Sequence, residues 1–219
     1  MAGILFIISA PSGSGKSTLV SQLRTLVEGL DFSVSYTTRA PRGSEEDGRE
    51  YHFTTRAEFE RMIAAGEFLE WAKVFGNYYG TAVSSLGHAK GLGKDLLLDI
   101  DVQGAMQVMK KLPEAVSIFV IPPSPQVLEM RLRNRSEAEG VTSEEVIQKR
   151  LAEAQNELKQ IWDYRYALVN DVLDQAVSEM RAIVLCERGV RDGVQKVAAS
   201  CRTDKPSPRL KAALSTFGG

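Results

Sequence analysis

The fold is decided by the stretch Ile4-Leu5-Phe6-Ile7-Ile8-Ser9-Ala10-Pro11-Ser12-Gly13-Ser14-Gly15-Lys16-Ser17-Thr18. A strand of buried type, a loop of small residues and a basic helix start follow one another here, as in a P-loop. Gly13 and Gly15 let backbone N–H groups approach a polyphosphate and permit positive φ. Lys16 can then reach the β- and γ-phosphates, and Ser17 can offer its hydroxyl to Mg²⁺. The strict pattern begins with glycine, so Ala10 is a departure that is tolerated if its φ is negative.

The composition is that of an ordinary globular protein, with 43% hydrophobic and 25% charged residues in a chain of 219. This length allows one α/β core with an inserted or appended subdomain. A net charge of −1 gives no overall attraction to nucleic acid or to an anionic membrane, and we expect neither as a partner. The apolar run is too short to span a bilayer and no basic leader precedes it. Cys186 and Cys201 lack metal-site spacing, which favours reduced thiols and a cytoplasmic location.

Strand-like apolar runs alternate with segments of helical period, which favours a mostly parallel sheet covered by helices. Core strands are predicted at residues 4–9, 32–35, 95–100, 116–121 and 166–169. Helices are predicted at about 16–28, 102–111, 125–133, 143–162 and 171–184. Thr142 and Glu145 form a capping box for the fourth helix, and Pro125 suits the first turn of the third.

The pattern changes between residues 36 and 92, which predicts a subdomain inserted into a core of residues 1–35 and 93–186. This segment contains a helix with a capping box of Thr55 and Glu58, followed by a strand at 68–75. The polar stretch 134–142 is predicted to be a mobile flap between two core helices. Beyond Gly189 the pattern weakens, and 203–208 are typical of a flexible linker. Residues 187–219 are therefore predicted to be a partly flexible extension.

Cations and hydroxyls are concentrated after the second predicted strand, in Ser33-Val34-Ser35-Tyr36-Thr37-Thr38-Arg39-Ala40-Pro41-Arg42. Arg39 and Arg42 are three residues apart across a proline-containing turn, and paired guanidiniums suit a phosphate dianion. Tyr51 could add a phenol donor. A solvated basic loop is the alternative interpretation, but a P-loop in the same chain favours phosphate binding.

The strand at 68–75 carries a carboxylate on a largely apolar face. Strand alternation places Glu70 on the same face as Phe68 and Ala72. A carboxylate there can accept the adjacent N1–H and N2–H₂ donors of guanine, whereas adenine presents an acceptor at N1. The alternative is an edge-strand glutamate in solvent.

Two acids end a buried strand at Leu98-Asp99-Ile100-Asp101. An acid beside a P-loop usually organises Mg²⁺ and its waters. One of the two is therefore expected to serve the metal and the other the acceptor. Asp101 could instead cap the helix that begins at residue 102.

Basic residues accompany the predicted flap, with Arg131 and Arg133 before it, Arg135 at its start and Arg150 after it. Phosphoryl transfer spreads negative charge over equatorial oxygens, and mobile arginines that arrive on closure stabilise that charge. A solvated helix face is the alternative.

Together these motifs resemble those of the guanylate kinase family over about residues 4–186. The shared motifs are Ser-x-Pro-Ser-Gly-x-Gly-Lys-Ser-Thr, Ser-x-Thr-Thr-Arg-x-Pro-Arg, Glu-Phe-Leu-Glu-Trp, Gly-Asn-Tyr-Tyr-Gly-Thr and Leu-Asp-Ile-Asp, in family order and spacing. The resemblance implies an α/β fold: a three-layer P-loop NTPase core with a parallel sheet, an inserted mixed α+β GMP-binding subdomain and a short lid. It implies an ATP-dependent kinase that phosphorylates GMP to GDP with Mg²⁺, with dGMP as an expected second acceptor. A homo-oligomer is left open.

The resemblance also implies a role for each matching residue. The guanine base would be read by Ser35, Glu70, Thr81 and Asp101, with Thr81 standing where some members have serine. The GMP phosphate would be held by Arg39, Arg42, Tyr51 and Tyr79. ATP would be held by Ser12, Gly13, Ser14, Gly15, Lys16, Ser17 and Thr18, with Asn170 near the adenine. Arg131, Arg135 and Arg150 would close over the phosphates, and with Lys16 and Arg39 they are the expected catalytic residues. Ser17 and Asp99 would lie near Mg²⁺.

Two other functions stay open at this point. A catalytically inactive module of the same fold would bind phosphorylated proteins, but such modules typically have an eroded P-loop, and Gly15, Lys16 and Ser17 are intact here. A P-loop kinase acting on a sugar phosphate would give Glu70 and Ser35 no base to read.

Overall fold

The fold has two sheets, seen in a computed structural model that describes residues 3–138 and 143–218. The strands are β1 (Leu5–Ser9), β2 (Leu30–Phe32), β3 (Tyr36–Thr37), β4 (His52–Phe53), β5 (Phe68–Val74), β6 (Asn77–Ala82), β7 (Asp95–Asp99), β8 (Val116–Ile121) and β9 (Tyr166–Val169). The helices are α1 (Lys16–Leu26), α2 (Arg56–Ala64), α3 (Val83–Gly91), α4 (Val102–Lys111), α5 (Pro125–Ala138), α6 (Glu144–Leu158), α7 (Leu173–Glu187), α8 (Val194–Ser200) and α9 (Pro208–Ser215). A 3₁₀ turn, Lys159–Asp163, follows α6.

The larger sheet has five strands in the order β2-β7-β1-β8-β9. The pairs β2–β7 and β8–β9 are parallel. Every residue of β1, β8 and β9 is buried, as expected for strands with both faces covered. The prediction of an α/β fold with a parallel sheet is confirmed. Two strands and one helix have the predicted bounds, namely 116–121, 166–169 and 102–111.

The chain divides into two compact units. The first unit contains the described residues up to Ile7 together with Gly29–Ala115, and the second contains Ile8–Glu28 with the described residues from Val116 onward. The first unit therefore includes the whole smaller sheet. The division predicted from the sequence, with an insert at 36–92, remains a prediction.

The smaller sheet has four strands in the order β4-β3-β6-β5. Its centre is a hairpin in which β5 and β6 run antiparallel. The helix α2 lies over it and buries Phe59 and Met62 against Phe68. Thr55 caps α2 as predicted, because its hydroxyl accepts a hydrogen bond from the Glu58 N–H at 3.2 Å. The sequence did not predict β6 as a strand.

The hairpin turn holds a residue in an unfavourable conformation. Val74 and Asn77 are paired in register, so Phe75 and Gly76 form the two-residue loop, with φ of 48° and 85°. Both positions of such a turn need positive φ, and asparagine followed by glycine is preferred there. We expect Phe75→Asn to raise the free energy of unfolding by about 0.5–1 kcal/mol. Denaturant titration would measure this, with Phe75→Ala as the control that removes the ring but keeps the strain.

Several helix ends differ from the prediction. The helix α5 continues to Ala138 instead of ending at residue 133, so the first five residues of the predicted flap are helical. Residues 139–142 lie outside the described part. Ser136 explains the extension, because this buried hydroxyl accepts a hydrogen bond from Arg150 at 2.8 Å. The helix α6 begins at Glu144 with Ser143 as its N-cap, one residue beyond the predicted Thr142, which lies outside the described residues.

The C-terminal segment contains two helices, residues 194–200 and 208–215, that the weak sequence pattern did not predict. Between these helices the backbone pairs with the outer edge of β9. The Ala167 N–H donates to the Cys201 carbonyl at 2.8 Å, and the Thr203 N–H donates to the Arg165 carbonyl at 3.2 Å. Thr203 is buried, while the flexibility predicted for residues 203–208 remains a prediction.

Candidate active site

The P-loop has the backbone that its sequence predicts. Gly13 and Gly15 have φ of 89° and 84°, and Gly15 is the N-cap of α1. Phe75 is the one non-glycine residue with positive φ among residues 3–138 and 143–218, so Ala10 fits the loop. Lys16 is the first residue of α1, in the first turn, where backbone N–H groups have no partner within the helix. The loop is thus built to receive an anion.

Both loop glycines also allow a close approach to neighbouring side chains. A Cβ at Gly13 would lie 3.0 Å from Cγ of Leu132, and one at Gly15 would lie 2.4 Å from Nδ2 of Asn170. The second distance is too short for any real Cβ. Gly15 is therefore required both by its φ and by the amide beside it.

The side chains of Asn170 and Arg131 donate hydrogen bonds to the backbone of the P-loop. Asn170 Nδ2 donates to the Ser14 carbonyl at 2.8 Å, and Arg131 Nη1 donates to the same oxygen at 3.2 Å. Arg131 Nη2 also donates to the Asn170 carbonyl at 3.1 Å. Partial burial lowers the pKa of the Arg131 guanidinium from its usual range. No local sequence pattern predicts this contact, since Ser14, Arg131 and Asn170 are far apart in the chain.

The other predicted arginines of the second unit lie on α5 and α6. Arg135 Nη1 is 3.5 Å from Ser12 Oγ in the P-loop. Arg150 is buried and donates to Ser136. Arg133, which the resemblance did not select, pairs at 2.7 Å with both Glu129 and Glu144.

Glu70 is enclosed within the first unit. It lies on β5 and is only 2% exposed, which excludes the solvent-exposed alternative. Its strand partner Thr81 is fully buried, and the Thr81 hydroxyl has no well-aligned hydrogen-bond partner among the described residues. A Cβ at Gly104 would lie 2.3 Å from Glu70 Oε2, so glycine makes room for the carboxylate. A register irregularity between Phe68 and Glu70 marks a bulge beside the site.

Burial raises the pKa of Glu70 to about 7. The negative charge of Asp101 adds to the rise, while Thr81 and Lys111 oppose it. A carboxyl group with such a pKa can change its charge near neutral pH when a ligand brings hydrogen-bond donors to it.

The raised pKa makes stability depend on pH. Because the pKa of Glu70 is about 7 in the folded chain against 4.5 ordinarily, the folded protein binds the extra proton between these values. The contribution of Glu70 to the free energy of unfolding is fully present below about pH 4.5 and is lost as the pH rises through about 7. As the pH rises from about 5 to about 8, the free energy of unfolding of Glu70→Gln should fall by about 2–3 kcal/mol less than that of the parent chain. Denaturant titrations at both pH values measure this, and Glu67→Gln, at a half-exposed position, should follow the parent.

Asp101 serves as the N-cap of α4. Its Oδ1 accepts the N–H groups of Gln103 and Gly104 at 2.8 and 3.1 Å. The capping alternative is therefore confirmed, and the cap places Asp101 near Glu70. Asp99 is the last residue of β7. Burial raises the pKa of the Tyr51 phenol, and the nearby charge of Asp99 adds to this effect.

Arg39 is buried among aromatic rings and engaged by a carboxylate. Its two terminal nitrogens each donate to Glu45 at 2.9 Å. Its Cζ lies 5.3 Å from the centre of the Tyr51 ring, and the Tyr51 and Tyr79 rings are 5.9 Å apart. The backbone N–H of Arg42 donates to the same glutamate at 2.8 Å. The structure thus brings together the predicted phosphate-binding side chains Arg39, Tyr51 and Tyr79.

Glu45 is a residue that the sequence interpretation missed. Its pKa lies below the usual range, because hydrogen bonds from Arg39 and Arg42 outweigh the effect of burial. The sequence did contain a signal for this residue, because Glu45 is an acidic residue three positions after Arg42 in a loop that is rich in cations. Ser35 is buried at the start of the same segment, and its carbonyl accepts the His52 N–H at 2.9 Å.

No helix in the described part of the chain is long and apolar enough to cross a bilayer. Residues 3–138 and 143–218 contain no group of three or more histidine, cysteine or acidic side chains that could hold a metal. Mg²⁺ in nucleotide sites needs only one or two carboxylates, with waters and substrate phosphates completing its shell.

A P-loop that opens a helix beside a parallel sheet, with arginines held against it, defines a P-loop nucleotide-binding protein.

A guanylate kinase family profile matches residues 3–187. A guanylate kinase of Koribacter versatilis is 51% identical over 226 residues, covering 99% of this chain and 97% of that protein. One from Dechloromonas aromatica is 46% identical over 196 residues, covering 90% and 95%. A crystal structure of guanylate kinase from Anaplasma phagocytophilum matches with a TM-score of 0.69 and 32% identity, covering 91% of this chain and 95% of that one.

This chain belongs to the guanylate kinase family. Members are ATP-dependent nucleoside-monophosphate kinases that transfer a phosphoryl group from ATP to GMP. The resemblance seen in the sequence is confirmed.

Proposed function

We propose that the first unit binds GMP and that the second binds the phosphates of ATP, through the residues assigned below. The observation that carries this proposal is the buried Glu70, a carboxyl group with a pKa raised by burial and with the buried hydroxyl of Thr81 beside it. A structural glutamate would rarely be buried in this state, because the charged form is costly away from water. A ligand that donates two hydrogen bonds relieves that cost.

Guanine suits this pocket by its chemistry. Its N1–H and N2–H₂ groups are adjacent donors, which one ionised carboxylate can accept together. The Thr81 hydroxyl supplies a further polar contact, and Ser35 and Asp101 complete the proposed base-reading set. Adenine would place its N1 acceptor against Glu70, so AMP should be rejected. No residue in this set reads the ribose, and dGMP is therefore expected to be accepted.

The GMP phosphate is proposed to bind Arg39, Arg42, Tyr51 and Tyr79. Glu45 now accepts both terminal nitrogens of Arg39, as a phosphate dianion would. Binding of GMP would then exchange the Glu45 carboxylate for phosphate on the Arg39 fork. Two phenols and the Arg42 guanidinium supply the remaining donors.

ATP phosphates are proposed to bind the backbone N–H groups of residues 12–18 and the ammonium group of Lys16. Arg131 and Arg135 already contact this loop, at Ser14 and Ser12. With Arg150 they would neutralise charge on the transferring group. Asn170 is proposed to lie near the adenine.

The reaction needs no covalent enzyme intermediate. The terminal phosphoryl group passes from ATP to a GMP phosphate oxygen, and positioning and charge neutralisation lower the barrier. Ser17 and Asp99 are an oxygen donor set that fits Mg²⁺, and these residues would hold it. The bound ion would screen the phosphate charges. A homo-oligomer and a cytoplasmic location remain predictions.

An ADP-release assay with a panel of acceptors tests the proposal. With ATP and Mg²⁺, GMP should be phosphorylated far faster than AMP, CMP or ribose 5-phosphate. Equal use of ribose 5-phosphate would favour the sugar-phosphate alternative. No turnover with any acceptor, together with binding of phosphopeptides, would favour the inactive module.

A further inference from the structure

The residues after the family-matched region reach the ATP side of the second unit. The family profile ends at residue 187, whereas α8, α9 and the segment between them follow it. Leu210 and Ala213 of α9 are buried, so this helix is packed into the unit. Its polar contacts are the more informative feature.

Arg209 on α9 joins three groups around the end of β9. Its Nη2 donates to the Val169 carbonyl at 2.8 Å and pairs with the Asp171 carboxylate. Its Nη1 pairs with Glu179 on α7. The Arg209 side chain is only 28% exposed. Partly buried pairs with several partners hold a geometry better than single surface pairs do.

Asn170 lies between Val169 and Asp171, two of the three residues that Arg209 binds. Its N–H donates to the Ile121 carbonyl at 2.8 Å, and its side chain donates to the Ser14 carbonyl. A trans peptide points its carbonyl and the following N–H in opposite directions. Fixing the Ser14 carbonyl therefore also fixes the direction of the Gly15 N–H, one of the amides proposed above to bind phosphate.

Phe217 provides a second contact from the same extension. It packs on a cluster formed by Leu128, Leu132 and Ala154 of α5 and α6. Leu128 and Leu132 lie 3.2 and 3.0 Å from the position of a Cβ at Gly13. The extension therefore contacts the surroundings of the P-loop at two places. Arg209 binds the residues on both sides of Asn170, and Phe217 packs on the apolar side chains of α5 that lie next to Gly13.

We propose that the C-terminal extension braces the P-loop and that Arg209 is a positioning residue for ATP. Arg209 acts by fixing residues 169–171, and through them the Ser14 peptide, without touching the nucleotide. This inference rests on the ATP-binding role proposed above for the P-loop and Asn170.

The test compares nucleotide affinities of Arg209→Met with those of the parent chain. We expect KM and Kd for ATP to rise about ten-fold, as is usual when a supporting residue is removed, with KM for GMP unchanged. Arg209→Lys should recover part of the loss. Asp171→Asn should act in the same direction, and its effect should not add to that of Arg209→Met. Lys211→Met removes one exposed cation from the same helix and is the matched control.

Each other outcome is informative. If Asn170→Ala raises KM for ATP but Arg209→Met does not, the brace is wrong and the proposed function stands. If Asn170→Ala also has no effect, the ATP role of Asn170 fails, and the inference fails with it. Equal rises in KM for ATP and GMP with a lower Tm would show a general structural role and overturn the proposal. Should Arg209→Met not fold, Arg209→Gln, which keeps one donor, replaces it under the same criteria.

Discussion

Replacing Lys16 by alanine is expected to lower kcat by about 10³-fold or more while the chain stays folded. In the proposed mechanism the ammonium group neutralises charge on the transferring phosphoryl group, and no other residue of the loop itself carries a positive charge. Lys16 is half-buried at the start of α1, so its loss opens no core cavity. Steady-state ADP release at saturating ATP and GMP measures the effect.

The matched control for this variant is Lys196→Ala, which removes an exposed lysine from α8 in the same unit. Both variants should keep the Tm of the parent chain. Turnover by Lys16→Ala within ten-fold of the parent, with an unchanged Tm, would contradict the catalytic role.

The second large effect is expected at the base-reading pocket. Glu70→Gln should lower kcat/KM for GMP by about 10–100-fold, because an amide accepts one of the two guanine donors and opposes the other with its own N–H. A buried unsatisfied donor costs about 1–3 kcal/mol. The KM for ATP should hardly change. A raised KM for ATP with an unchanged GMP value would place Glu70 at the wrong substrate.

The pH dependence gives a separate check on the same residue. Guanine donors favour the ionised form of Glu70, so GMP affinity should fall as pH drops through about 7, where the pKa of the free carboxyl lies. Glu70→Gln should lose that dependence. Glu67→Gln, at a half-exposed position paired with Arg61, should keep it. Calorimetric titration with GMP across this range would measure both.

Local sequence patterns predicted the parts of the fold that depend on neighbours in the chain. The P-loop, the cap at Thr55 and the bounds of β8, β9 and α4 belong to this class, because periodicity, turn residues and capping residues act over a few positions. The apolar face of its strand suggested the burial of Glu70 but left an exposed edge-strand glutamate as the alternative, and the structure decides for burial.

Features that depend on distant contacts were not predictable in this way. Residues 134–138 are polar in sequence and were predicted to belong to a flap. In the structure they continue α5, and Ser136 is buried and hydrogen-bonded to Arg150 on another helix. The pairing of Glu45 with Arg39 depends on the conformation of the loop between them, which the spacing of the residues does not reveal. The C-terminal helices have a weak period, and packing against β9 and α7 stabilises them more than local propensity does.

The pairing of residues 201–203 with β9 has a consequence for solubility. The strand β9 is the last in its sheet, and every one of its side chains is buried. A chain cut after residue 187 would leave the Ala167 N–H and the Arg165 carbonyl open along an apolar edge, and such edges recruit strands from other molecules. We therefore expect the extension to protect the protein from edge-to-edge aggregation, and a shortened recombinant version to need a charged substitution along β9 to stay dispersed.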